Sequence, residues 1–263
     1  MIPKTIHYCW FGNHPLPEYA KKCISSWRKF LPDYEIKEWN ESNFNVNIIP
    51  FTREAYRLKK YAFVSDYARM WILYHYGGLY FDTDVELIRS IDDVISRGAF
   101  MGCEAQDDKQ SGSLAPHEVT TNANGTGLQA VNPGLGLGCA PGLGLYKKIL
   151  DWYSQHHFVT WSGKFAPNDD IIIVSIVSRI LKRESMQLLE DGVLLVDNIY
   201  VYPPEYFCPK NYFTSEMHIT TNTRSIHHYS ASWMGKDIHK PPIWKRLKKR
   251  IKFISVRLMS YSI

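Results

Sequence analysis

One stretch of this sequence holds residues whose types and spacing suit chemistry. Asp82-x-Asp84 sets two carboxylates two residues apart. On an extended strand such side chains point the same way, so both can reach one hard divalent cation. The short apolar run Leu79-Tyr80-Phe81 before them predicts a strand that holds the pair at the carboxyl edge of a sheet, where the ligand sites of α/β proteins lie. By itself the acid pair also fits a solvated turn. Upstream stands Ser65-Asp66-x-x-Arg69. On a helix Asp66 and Arg69 are i,i+3 neighbours able to pair, and an exposed pair of this kind contributes only about 0–1 kcal/mol. The residues around it (Ala62, Phe63, Val64, Tyr67, Met70, Trp71, Leu73, Tyr74) leave the helix little polar face, and a charged pair on a buried helix needs a reason.

The elements that must position these groups follow from the pattern. Thr5–Gly12 reads as a buried first strand ending in a glycine turn, Pro17 opens a helix that stops before Pro32, and Tyr34–Trp39 alternates as a second strand. A helical pattern runs from Arg53 to Tyr76 and stops at Gly77-Gly78. Further strands are predicted at Phe100–Cys103, Val193–Val196 and Tyr200–Tyr202, with helices over Leu145–His156 and Asp170–Lys182. Residues 105–133 are polar and irregular, long enough for a functional loop. Gly134-Leu-Gly-Leu-Gly138 does not fit G-x-G-x-x-G and reads as a close-packed strand and turn. Alternating strands and helices imply an α/β domain over 1–235, followed by a tail, 236–263.

Ser65-Asp66-Tyr-Ala-Arg69-Met-Trp-Ile-Leu73-Tyr-His-Tyr-Gly77-Gly78-Leu-Tyr80-Phe-Asp82-Thr-Asp84 resembles the S-D-x-x-R…L-x-x-x-G-G-x-Y-x-D-x-D block of glycosyltransferase family 32, its DXD-containing sugar-binding region. The opening Ile2-Pro-Lys-x-Ile6-His7-x-x-Trp10 and the late Ile226-His227-His228-Tyr229-x-x-Ser232-Trp233 are similar to the same family. The resemblance implies a GT-A-like nucleotide-sugar-binding fold, with a central mixed sheet flanked by helices, and a hexose donor activated as a nucleotide diphosphate, a UDP-sugar favoured. It implies Mn²⁺ or Mg²⁺ on Asp84, with Asp82 on ribose or ion and His228 as a further ligand; His227, on the opposite face of a strand, ranks behind it. By the same resemblance Asp66 and Arg69 hold donor-sugar hydroxyls, Tyr80 lies beside the leaving group and Trp10 stacks on the base. His7 and Ser65 fall in the donor-binding blocks, and Ser232 with Trp233 closes over the donor. Asn168 or Asp169 could face the donor sugar or the acceptor, while a helix N-cap and first-turn acid explain that zone equally well. Retention of anomeric configuration is implied, by front-face or double displacement. A saccharide or lipid-linked saccharide acceptor in surface polysaccharide synthesis, capsule or lipopolysaccharide, completes the expectation.

Composition narrows the alternatives. The chain has 263 residues, 45% hydrophobic and 22% charged, which fits a globular protein. No apolar run is long enough to span a bilayer, and the opening residues lack the pattern of a signal peptide. Five scattered cysteines without C-x-x-C suit a reducing compartment. These features together predict a cytoplasmic location. The formal charge of +5 comes from the tail: Lys240–Ile263 holds eight basic residues and no acid, leaving 23 basic against 26 acidic residues in the rest. That distribution argues against a nucleic-acid partner. It predicts instead a basic amphipathic helix, residues 240–263, on the anionic inner face of the membrane. Two rivals remain at this stage. One is a haloacid-dehalogenase-type phosphatase with Asp82 as nucleophile and Asp84 as general acid; the other is a non-enzymatic, basic-tailed membrane adaptor.

Overall fold

The computed structural model describes residues 1–104, 120–121, 127–163, 165, 171–212 and 215–230. The chain divides into two compact units, Met1–Tyr229 and Ser230–Ile263. The tail and its expected boundary at 235/236 lie outside the described residues.

The first unit opens with β1 (Thr5–Cys9), α1 (Glu18–Phe30) and β2 (Glu35–Trp39). There follow α2 (Pro50–Arg57), α3 (Tyr61–Tyr76), β3 (Gly78–Tyr80) and β4 (Val85–Leu87). Next come α4 (Asp92–Arg97), β5 (Phe100–Gly102), β6 (Thr120–Thr121), β7 (Gly127–Leu128) and β8 (Leu137–Cys139). The remainder is α5 (Gly144–Ser154), α6 (Ile173–Leu181), β9 (Met186–Leu188), β10 (Leu194–Val196), β11 (Ile199–Tyr202), α7 (Pro204–Phe207) and β12 (Ser225–His227). Eight of these strands form one mixed sheet in the order β2-β1-β3-β8-β5-β11-β10-β9. This is the expected central mixed sheet, with a helix-bearing apolar core on each side: one takes residues of α2, α3, α5 and α6, the other residues of α1, α4 and α7.

Strands β1, β2, β3, β5 and β11 run the same way, because β3 and β5 each pair antiparallel with β8 and the other contacts among the five are parallel. Their carboxyl ends therefore share one edge of the sheet. Strand β8 runs against them, so the residues just before it, Asn132 to Gly136, reach that same edge.

The helix predicted over Arg53–Tyr76 is two helices. Lys59 adopts a left-handed φ of 58°, and the N–H groups of Lys59 and Lys60 close on the carbonyls of Tyr56 and Ala55 at 2.9 Å each. Those two bonds make a Schellman stop, built on a lysine where glycine is usual, which is why the pattern of residue types gives no warning of it. The following α3 is buried almost all round, Met70, Ile72 and Leu73 completely, each contributing about 1.5–3 kcal/mol by leaving water. It ends at Gly77, whose φ of 64° reverses the chain directly into β3. Two short elements had no clear sequence signal, β4 and β12. They pair antiparallel in a separate two-stranded sheet, His227 opposite Val85.

Candidate active site

Asp82 follows β3 at the carboxyl edge, and α3 runs straight into that strand, so the two acidic motifs meet. Arg69, with its side chain 5% exposed, lies between them: Nη2 is 3.0 Å from Asp66 Oδ1 and 3.1 Å from Asp82 Oδ1. Its Nη1 donates to Asp82 Oδ2 at 3.4 Å. The Tyr80 hydroxyl donates to Asp82 Oδ1 at 3.0 Å, and the guanidinium stands 4.9 Å from the Tyr80 ring centre. Within the helix, Arg69 Nε donates to the Ser65 carbonyl and the Ser65 hydroxyl to the Tyr61 carbonyl. Burial pushes Asp66 up to about 7, against the lowering pull of Arg69. Burial also raises Asp82, Arg69 opposing and Asp84 adding to the rise.

Asp84 is buried, and its Oδ1 lies 3.1 Å from His227 Nε2. Asp82, Asp84 and His227 each offer a ligand atom within 4.8 Å of the others. Although burial disfavours a charged imidazole, Asp84 overrides it and raises the His227 pKa. The histidine brought to the acid pair is thus His227, whereas the sequence pointed to His228. Strand parity decides it: opposite Val85 in the β4–β12 pair, His227 turns inward. The half-exposed His228 turns away to Glu86, Nε2 to Oε2 2.7 Å, while its backbone N–H donates to the Asp84 carbonyl at 2.9 Å.

Of the other expected residues, half-buried Trp10 directly follows β1 at the same edge, its Nε1 donating to the His14 carbonyl at 2.6 Å. His7 is buried in the sheet with both ring nitrogens engaged: Nδ1 accepts from Trp39 Nε1, and Nε2 meets the Gly77 carbonyl, each at 3.1 Å. Burial lowers its pKa to about 4, so it is a neutral structural brace with no nitrogen to spare for a donor. Asn168, Asp169, Ser232 and Trp233 lie outside the described residues.

Three residues join the site that sequence reasoning did not single out. Asn132 Nδ2 donates to Glu104 Oε2 at 2.9 Å, and Asn132 Oδ1 accepts from the Gly134 N–H at 2.8 Å. Gly134 lies so close to the acid pair that a Cβ there would stand 2.3 Å from Asp82 Oδ2. The available signal was position: Glu104 follows a predicted strand, as Asp82 does, and Asn132-Pro-Gly134 is turn chemistry just before another.

Two carboxylates and an imidazole form a donor set suited to a divalent cation such as Mn²⁺. Two further observations fit one. Among the described residues Arg69 is the one ion-pair partner of both Asp66 and Asp82, and buried His227 Nδ1 has no hydrogen-bond partner. Residues 17–101 match the family described as glycosyltransferase sugar-binding region containing DXD motif. Inositol phosphoceramide mannosyltransferase 1 of Schizosaccharomyces pombe is 29% identical over 111 residues, 38% of this chain and 33% of the relative. Inositol phosphoceramide mannosyltransferase 3 of the same yeast is 33% identical over 108 residues, 38% of this chain and 29% of the relative. The chain thus spans about a third of the length of the curated relatives it matches. Among solved structures, a glycosyltransferase involved in glycosylation of the major capsid of PBCV-1 aligns with TM-score 0.45 and 14% identity, over 90% of this chain and 98% of that one. The galactosyltransferase LgtC, in complex with donor and acceptor sugar analogs, aligns with TM-score 0.43 and 12% identity, over 85% and 86%. The phosphatase reading gives way to this match, and it would also need as nucleophile an Asp82 whose oxygens are already held by Arg69 and Tyr80.

Proposed function

We propose that this protein is a metal-dependent glycosyltransferase that moves a hexose from a nucleotide diphosphate sugar to a saccharide or lipid-borne acceptor. The observation that carries the reading is the convergence of Asp82, Asp84 and His227 within 4.8 Å, beside an Arg69 that bridges both acidic motifs. Asp82, Asp84 and His227 would hold the cation, Mn²⁺ or Mg²⁺. Once bound, such an ion clamps the donor diphosphate and stabilises its departure as a Lewis acid.

The protein groups do the rest. Asp66, fixed by Arg69 and kept from bulk water, accepts hydrogen bonds from donor-sugar hydroxyls. Arg69 stays protonated, since its two acids outweigh the cost of burial, and it keeps Asp82 in one rotamer. Tyr80 orients the same carboxylate. Trp10, directly after β1, offers its ring to the base. Transfer with retention fits this family, and a front-face displacement asks for no further nucleophile. A UDP-sugar is the donor favoured from sequence. The mannosyltransferase names of the yeast relatives make mannose the first alternative, and their inositol phosphoceramide acceptors favour a lipid-borne acceptor over capsule or lipopolysaccharide. No helix of the described residues is long and apolar enough to cross a membrane. The basic run 240–263 is our proposed contact with anionic lipid at the cytoplasmic face.

A donor panel (UDP-glucose, UDP-galactose, UDP-N-acetylglucosamine, GDP-mannose), scored by nucleotide release with and without Mn²⁺, tests the activity. Release from one donor that requires the ion, and is lost in Asp84→Asn, supports it; turnover unchanged after chelation refutes it.

A further inference from the structure

Tyr229 has a backbone φ of 53°. A bulky side chain in the left-handed region is an outlier, and such strain persists only where the surroundings over-determine it. Here they do. The residue before it is pinned on both sides, since the His228 N–H donates to the Asp84 carbonyl at 2.9 Å and Lys210 Nζ donates to the His228 carbonyl at 3.0 Å. The phenol oxygen lies 2.9 Å from Cys208 Sγ, and the ring meets Tyr212 edge-on at 5.1 Å. The ring also meets His227, at 4.2 Å between ring centres and 71° between planes.

Had β12 continued straight, residues 227 and 229 would share a face about 7 Å apart. The left-handed turn closes that gap and sets the phenol ring against the imidazole. This matters because a metal-ligating histidine usually has its second ring nitrogen held by a carboxylate or carbonyl, which fixes the ring plane. His227 Nδ1 has no such partner among the described residues.

We propose that Tyr229 is the positioning residue of the metal centre, its strained turn supplying by ring packing the orientation that a second hydrogen bond would otherwise give to His227. The proposal rests on the reading of Asp82, Asp84 and His227 as a cation site. Calorimetric titration of Mn²⁺ into the full chain, with metal-free melting on the same samples, tests it in wild type, Asp84→Asn, Tyr229→Phe, Tyr229→Gly and Tyr229→Asn. Phenylalanine keeps the ring and should bind Mn²⁺ within about 3-fold of wild type. Glycine and asparagine both accept the left-handed turn without the ring, and should bind about 10–100-fold more weakly while still melting cooperatively. If both bind as wild type does while Asp84→Asn has lost the ion, Tyr229 has only a structural role and the proposal falls. If Asp84→Asn binds as tightly as wild type, the cation site itself is wrong and the proposal goes with it.

Discussion

Replacing Gly134 by alanine probes the site without removing any of its functional groups. The new Cβ would stand 2.3 Å from Asp82 Oδ2, 3.0 Å from Asn132 Oδ1 and 3.3 Å from Asp82 Cγ, where an unstrained contact needs about 3.5 Å. Asp82 cannot simply step aside, because Arg69 and Tyr80 hold its oxygens at 3.0–3.4 Å. Nor can the main chain retreat freely: the Asp82 N–H donates to the Gly134 carbonyl at 3.3 Å, and Asn132 holds the Gly134 N–H. Overpacking of this kind costs about 1–3 kcal/mol, and in a unit of this size each kcal/mol lowers Tm by about 2–4 °C. Scanning calorimetry without metal should therefore show a loss of roughly 2–12 °C, and Mn²⁺ titration at least a tenfold loss of affinity, since the carboxylate must leave its place. Gly144→Ala is the control. It has open space around it and begins a helix, so it should be neutral or stabilising by up to about 1 kcal/mol. A Gly134→Ala protein that melts and binds Mn²⁺ like the control would refute the claim that Gly134 walls Asp82.

Other tests address the remaining residues. Asp66→Ala should cut sugar transfer strongly while nucleotide binding persists; a variant that loses Tm but keeps its specific activity would make the Asp66–Arg69 pair merely structural. His227→Ala should weaken Mn²⁺ binding more than His228→Ala does, and equal losses would undo the assignment by strand parity. His7 gives a pH dependence whose sign is fixed. Its pKa is about 4 when folded against 6.5 in the free side chain, so the unfolded chain takes up the extra proton in that window and stability falls as pH drops from 6.5 towards 4. The slope is at most about 1.4 kcal/mol per pH unit, and urea melts of His7→Gln should lack this component. Truncation after His239 should abolish salt-sensitive binding to anionic vesicles while leaving transfer to a soluble acceptor analogue intact; equal vesicle binding by both chains counts against the tail.

The local half of this site was legible in the sequence. A helix, a double-glycine stop and a three-residue strand follow one another without a loop, so the elements carrying Asp66, Arg69, Tyr80 and Asp82 were legible, and the resemblance grouped the four residues in one site. Residues delivered by pairings far apart in sequence were not legible. Which histidine turns inward depends on where β12 meets β4, and on a three-residue strand a shift of one position exchanges His227 for His228. Glu104, Asn132 and Gly134 converge only because β8 runs against its neighbours, a reversal that no residue pattern announces. His7 is the opposite case, since its place in a family-like block gave no sign of the brace it makes with Trp39 and Gly77 through its two ring nitrogens.

The β4–β12 pair ties Val85 to His227, and this has a consequence for how the protein is made. Both aspartates, Arg69 and Tyr80 leave the ribosome early, whereas His227 emerges more than a hundred residues later. Closing so long a loop comes late in folding, because its entropy must be spent before the contact returns anything. A nascent chain can therefore pack most of its sheet while the acid pair is still open to solvent. On the proposed function, arrival of β12 adds the imidazole of His227 to two carboxylates already made, so competence to capture a cation would itself report that the unit has finished folding.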